Sequence, residues 1–492
     1  MKIIITENRR ADPGSSRRRG LGTASLLITL FFIFWSATGS AGINVWLTDP
    51  ANSILFQPQP ATLPFAAVLD VAQTGKDAAH EDPIIKVDES QTFQTMDGFG
   101  CCLTGGSAVH MIQMDAAGRK ALLNELFAWD GSNIGISYLR VSIGASDLND
   151  HAFSYDDLPP GTTDPDMKQF SLQPDRADVI PVLKEILAIN PKLKILGSPW
   201  SPPAWMKDNH DTRGGRLQPR FYDAYAKYFV AYIKGMKAEG ITIDAITVQN
   251  EPLNPKNNPS LLMLAREEGN FIKNHLGPAF KAAGIDARIS LYDHNCDHPE
   301  YPVSILDDPE AGKYVDGSAF HLYAGGITAL SAVHQAHPDK NLYFTEQWTS
   351  ASDTINQVLG WHIENLIIGA PRNWSRNVLE WNPAADSRYE PHTDRGGCDQ
   401  CRGAVTIDGN KVSRNPAYYI LAHAAKFVRP GSVRIDSSYP ATLPNVAFKT
   451  PEGKTVLIVM NSGPAPRAFD IRYQGKQAAS TINGGAVATY IW

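Results

Sequence analysis

Two glutamates, each delivered by a short apolar run, are the residues of this chain best placed to do chemistry. Ala245-Ile-Thr-Val-Gln-Asn-Glu-Pro252 opens as a buried parallel strand and presents Asn250 and Glu251 at its end, where Pro252 withholds the next ladder donor. Asn341-Leu-Tyr-Phe-Thr-Glu-Gln-Trp348 repeats the arrangement with Glu346. Carboxylates at two strand ends suggest one site holding an acid/base or nucleophile pair. The other strand ends supply Arg140 and Asp147, Trp200, Asp293 and His294, His321 and Tyr323, and Trp381 and Asn382. Tryptophan faces stack on a pyranose while Asp, Asn and Arg take its hydroxyls, so this set points to a sugar.

A glycosidic bond needs a proton donor for the leaving oxygen and a second carboxylate, acting as nucleophile if close and as base if distant. Glu251 and Glu346 suit those jobs only if their surroundings push their pKa values apart. Arg140 is placed to keep one carboxylate ionised, Tyr323 to hold it by a hydrogen bond, and Asn250 to grip the sugar 2-hydroxyl. Each also has a plainer reading. Arg140 pairs with Asp147, Trp200 and Trp381 are core, and His321 is a satisfied interior histidine. Asp293 and His294 lack a third ligand at regular spacing, so neither a metal nor another cofactor is expected.

Positioning such ends takes a barrel of parallel strands. Helical spacing covers Gln113–Trp129 (Asp115 as cap), Asp178–Ile189, the aromatic stripe Phe221 to Met236, Leu261–His275 and Ile355–Ile368. Between them lie the strands 136–143, 194–200, 288–293, 315–323 and 377–382, besides the two glutamate strands and a piece at Gly98. Eight alternations predict an α/β fold, a (β/α)8 TIM barrel over 96–425. Short alternating strands from 426 to 492 predict an accessory all-β sandwich, joined by strands from 42–95, including 84–87 and 93–96.

Arg9, Arg10 and Arg17 to Arg19 precede an apolar run ending near Trp35 and small residues to Gly42. Residues 1–41 read as a secretory signal cleaved after Gly39 or Ala41, the alternative being an uncleaved anchor. The mature protein is expected outside the cytoplasm, secreted or periplasmic, with no stable membrane span. A net charge of −6 argues against nucleic acid. Of five cysteines, Cys398 and Cys401 are expected to form a disulfide, with Cys101, Cys102 and Cys296 reduced and buried. Oligomeric state is not legible.

Several motifs, in order, resemble glycoside hydrolase family 30, the glucosylceramidase-like family. They are Phe93-Gln-Thr-Met-Asp-Gly-Phe-Gly100, Leu139-Arg-Val-Ser-Ile-Gly-Ala-Ser-Asp147, Ser198-Pro-Trp-Ser-Pro-Pro-Ala-Trp205, Thr247-Val-Gln-Asn-Glu-Pro252, Phe320-His-Leu-Tyr323, Phe344-Thr-Glu346 and Asn415 to Phe427. The resemblance implies a retaining β-glycosidase with Glu251 as acid/base and Glu346 as nucleophile. It also implies a β-glucosyl pocket touched by Asp147, Trp200, Asn250 and Trp381. Two loops bordering the leaving-group side depart from the resemblance: Pro383-Ala-Ala-Asp-Ser-Arg-Tyr389 is unlike the mammalian lysosomal pattern, and Gly396-Gly-Cys-Asp-Gln-Cys-Arg-Gly403 resembles a bacterial branch. The expected substrate is therefore a β-linked glucoside, glycolipid or glucan. Glucosylceramide stands first, a β-1,6-glucan cleaved internally is the alternative, and a carbohydrate-binding protein without catalysis is the reading from another class.

Overall fold

The computed structural model describes residues 42–68 and 82–492, and the expected leader, 1–41, lies outside them. Eight parallel strands close a barrel: β1 Gly98–Leu103, β2 Tyr138–Ser142, β3 Lys194–Ser198, β4 Ala245–Thr247, β5 Arg288–Cys296, β6 Val315–Gly325, β7 Asn341–Glu346 and β8 Ser375–Glu380. Each pairs with its sequence neighbour, and β8 closes on β1 through Asn377 opposite Gly98 and Glu380 opposite Cys101. Buried on both faces, these strands carry near-continuous apolar runs, as parallel strands covered by helices must.

Between β3 and β4, helix Tyr222–Ala238 turns its aromatic stripe inward, burying Tyr225, Tyr228, Phe229, Tyr232 and Met236. Burying each such side chain is worth roughly 1.5–3 kcal/mol, so Phe229→Ala is expected to cost about 3–5 kcal/mol.

Two helices run differently from their sequence pattern. The one expected to stop near His275 continues through a wider turn, Ile272–Leu276, into Gly277–Ala283. Pro278 lies just beyond the widened turn, and Pro371 follows the similar stretch Ile363–Gly369. A proline lacks the N–H and crowds the carbonyl four residues back, so a locally wider turn lets the chain carry on where a regular helix would break. Helix Gly105–Gln113 escaped sequence reading because two glycines open it. Packing requires them, since a Cβ on Gly105 would sit 2.0 Å from Asn149 Nδ2.

The accessory domain is a β-sandwich whose ten strands pair in one continuous order, drawn from both chain ends. Asn44–Asp49 pairs with the C-terminal Val487–Ile491. The two strands expected at 84–87 and 93–96 are one, Ile84–Thr95, pairing with both Val433–Ser437 and Arg467–Tyr473. Strand Lys476–Ile482, unread in the sequence, is a small-residue partner of Arg467–Tyr473. None of the helices among the described residues is long and apolar enough to cross a membrane.

Candidate active site

The carboxyl ends of β2 to β8 converge on a pocket of about 570 Å³ lined by Asp147, Trp200, Glu251, Tyr323, Glu346 and Trp381 among others. Glu346 ends β7, and both of its oxygens are held. Arg140 Nη1 donates to Oε2 at 2.6 Å and the Tyr323 hydroxyl donates to Oε1 at 2.9 Å. Glu251 lies just past β4 with φ of 46°, a left-handed conformation that costs a non-glycine residue roughly 1 kcal/mol or more. Its amide donates to the Asp293 carbonyl at 3.0 Å, and Asn254 Nδ2 donates to its Oε2 at 2.7 Å.

Between the two glutamates stands His321, fully buried. Its Nδ1 is 3.3 Å from Glu251 Oε1 and 3.8 Å from Glu346 Oε1, while Nε2 faces Asp293 Oδ1 at 3.1 Å. One oxygen of each glutamate and one ring nitrogen of His321 all lie within 4.8 Å of one another. The two carboxyls therefore face each other across a gap near the roughly 5 Å of retaining glycosidases, well short of the roughly 6.5–9.5 Å of inverting ones.

Asp293, in the carboxyl-terminal half of β5, ties this network together. Its Oδ2 accepts from Arg140 Nη2 at 2.7 Å, Thr247 Oγ1 at 2.7 Å and Ser198 Oγ at 3.1 Å, and its Oδ1 from Thr345 Oγ1 at 2.6 Å. Arg140 does not pair with Asp147, the plainer reading of the sequence. Its remaining donors go to Asn250 Oδ1 at 2.6 Å and Ser198 Oγ at 3.0 Å, and its guanidinium lies over Trp200, 4.7 Å from the ring centroid. Trp200 and Trp381 are themselves neighbours at 5.5 Å, largely buried yet bordering the pocket.

Charge in the site is far from its solution values. Burial opposes ionisation of Asp293, but Arg140 and His321 hold its carboxyl well below the usual range. Burial likewise disfavours the imidazolium of His321, yet Glu346, Asp293 and Glu251 raise it to about 9. With both of its nitrogens facing carboxylates, His321 joins Glu251, Glu346 and Asp293 in a hydrogen-bonded bridge. Burial lifts Asp147 to about 8, helped by Glu346 and Glu251, and its Oδ1 is buried without a partner. His294 also carries an unpartnered buried nitrogen, and burial lowers it to about 4. Both groups are free to meet a hydroxyl.

The two glutamates are pushed apart, but in the reverse of the sense expected from the sequence. Burial raises Glu346 above its usual range, His321 and Arg140 opposing. Glu251 is buried too, yet its contacts with His321 and Asn254 draw it down to about 2. The pair is thus asymmetric, Glu346 drawn toward the protonated form and Glu251 toward the ionised one, with His321 Nδ1 within 3.8 Å of an oxygen of each.

The eight residues given roles from the sequence, Arg140, Asp147, Trp200, Asn250, Glu251, Tyr323, Glu346 and Trp381, lie around this one site. The sequence reading missed Asp293 and His321 as parts of the network. The available signal was position alone: each follows an apolar run on a barrel strand, as the two glutamates do. Cys398 and Cys401 are joined by a disulfide beside the pocket, while Cys101, Cys102 and Cys296 are free and buried.

Comparison with known proteins places this geometry in context. The chain matches the glycosyl hydrolase family 30 TIM-barrel domain over residues 96–428 and the family 30 beta sandwich domain over 431–490. An endo-1,6-beta-D-glucanase of Aspergillus fumigatus is 35% identical over 395 residues, covering 75% of this chain and 79% of that protein. The solved structure of the endo-beta1,6-glucanase BT3312 superposes with a TM-score of 0.83 at 32% identity, covering 92% of this chain and 100% of the other. The lysosomal acid glucosylceramidase of Mus musculus is 26% identical over 434 residues, 83% of each chain.

Proposed function

The chain belongs to glycosyl hydrolase family 30, and from that premise we propose that it is a retaining endo-glucanase cleaving β-1,6 linkages, exported by its amino-terminal leader. Carrying the linkage is the higher identity to endo-1,6-glucanases, 35% and 32%, against 26% to the glucosylceramidase. That difference reverses the order of the two substrates expected from the sequence.

Retention is supported by the narrow gap between Glu251 and Glu346. A glucosyl unit seated against Trp200 and Trp381 brings its anomeric carbon to Glu346 and its glycosidic oxygen to Glu251. With Glu251 carrying the proton, Glu346 attacks the anomeric carbon as Glu251 protonates the departing oxygen. Both bonds change together, leaving a β-glucan fragment free and a glycosyl ester on Glu346. Glu251, now ionised, takes a proton from water, whose oxygen displaces Glu346 and restores the β configuration. Throughout, Arg140 and Tyr323 hold Glu346 in line, their short contacts acting at the atom that gains and loses charge. Asn250, oriented by Arg140, is placed for the 2-hydroxyl.

The deciding experiment compares oligosaccharides released from a β-1,6-glucan with glucose released from glucosylceramide. Rapid oligosaccharide release whose first product is the β anomer supports the proposal. Turnover of glucosylceramide alone restores the other order of substrates, and an initial α anomer removes the double displacement.

A further inference from the structure

A second cavity, about 530 Å³, lies where the barrel meets the accessory domain. Trp129 and Lys192 line it from the turns that lead into β2 and β3, at the amino ends of the barrel strands. The catalytic carboxyls are at the carboxyl ends, so a ligand here does not compete with the active site. Trp46 of the sandwich and Arg429, just past helix Pro416–Ala425, complete the wall, and Glu452 stands exposed at the rim. The volume falls within the range of small-ligand sites.

Three features suit a sugar. Trp129 is 51% exposed, although large aromatics are normally covered, and the guanidinium of Arg429 lies over one ring face with its carbon 3.9 Å from the centroid. That contact fixes the ring and leaves stacking surface to solvent. Second, the lining is rich in donors: exposed Lys192 and Lys454 stand with Lys426, whose Nζ donates to the carbonyls of Gly131 and Asn133, and Arg429, whose Nη1 donates to those of Gly135 and Ala425. Third, Arg429 Nη2 is buried with no partner, a single directed donor of the kind that a hydroxyl satisfies.

We propose that this cavity is an accessory binding site for a β-glucan chain, in which Trp129 stacks on a glucosyl ring and Arg429 Nη2 meets a hydroxyl. This inference rests on the polysaccharide reading of the active site, extending it from cleavage to capture. A long polymer held at two points stays near the cleft between cuts, whereas a short aryl glucoside gains nothing.

Isothermal titration of the Glu346→Gln chain with a β-1,6-linked gluco-oligosaccharide counts sites without turnover. Two sites are expected, falling to one in Glu346→Gln/Trp129→Ala and returning to two in Glu346→Gln/Trp129→Tyr. In the otherwise unaltered enzyme, Trp129→Ala should raise the half-saturating polysaccharide concentration roughly five-fold and leave aryl β-glucoside turnover unchanged. One site in Glu346→Gln, or two that survive Trp129→Ala, overturns the inference. Should the unaltered enzyme cleave another β-glucan instead, the linkage is wrong, and the same count with that glucan as titrant decides the site. If Trp129→Ala does not fold, the count in Glu346→Gln alone is decisive.

Discussion

Replacing His321 by asparagine tests the charge network most directly, because the histidine's proton is stabilised by the fold itself. His321 is raised to about 9 in the folded chain despite burial, through Glu346, Asp293 and Glu251, against an ordinary value near 6.5 when unfolded. A raised folded pKa means that the stabilisation is fully present below pH 6.5 and is lost as pH climbs through 9. The interval corresponds to about 3 kcal/mol at 1.36 kcal/mol per pH unit. Urea unfolding of both proteins at pH 6 and pH 9.5 reads it, with the unaltered chain losing about 3 kcal/mol more than His321→Asn over that range. Asp147, which titrates near 8, contributes to both proteins and drops out of the difference to first order. Since His321 lowers both glutamates, both limbs of the kcat/KM profile should also move to higher pH in the variant. Parallel stability curves would mean that His321 is neutral, and the bridging account would fall.

Glu346→Gln should reduce aryl β-glucoside turnover by a factor on the order of 10³ or more without loss of folding, read by kinetics beside a thermal melt. Glu251→Ala should spare substrates with good leaving groups and penalise those with poor ones, because protonation of the departing oxygen matters less for the former; equal losses count against its acid role. Tyr323→Phe removes one donor to the Glu346 carboxyl and should lower kcat/KM roughly ten- to hundred-fold. Gly396, with φ of 137°, would place a Cβ 2.4 Å from the Lys256 carbonyl, so Gly396→Ala must shift the disulfide loop. Its half-saturating polysaccharide concentration should rise roughly three- to ten-fold with little effect on small aryl glucosides, as measured on both substrates.

The barrel was legible because its signals are local. Runs such as Ala245–Thr247 and Asn341–Glu346 are buried on both faces, so their apolar character survives whatever packs beside them. The glutamates stood out because a carboxylate ending such a run is costly unless used. Partnerships were not legible, since Arg140 reaches Glu346 206 residues away and Asp293 153 away, distances set only by barrel closure. Asp293 and His321 were therefore visible as residues but not as neighbours. Elements shaped by tertiary contacts also escaped, including the glycine-led helix at Gly105 and the two helices widened ahead of Pro278 and Pro371.

Burying so many ionisable groups is tolerable because their charges cancel and stay cancelled. Arg140 and His321 bring two positive charges and Asp293 one negative, and in the proposed double displacement the glutamate pair with one proton brings another, so the inner network sums to zero. In the glycosyl ester of that mechanism Glu346 is neutral by esterification and Glu251 has given up its proton, so the pair again carries one negative charge. Charge migrates between the carboxyls without building up where burial makes it expensive. Asp147 follows the same constraint: a further anion beside Glu346 and Glu251 would unbalance the set, and its carboxyl is accordingly held protonated up to about pH 8. In that form it is a donor as well as an acceptor toward a sugar hydroxyl. The third carboxylate at Asp293, whose partners the sequence did not show, makes the balance possible, since without it two fixed cations would face one mobile negative charge.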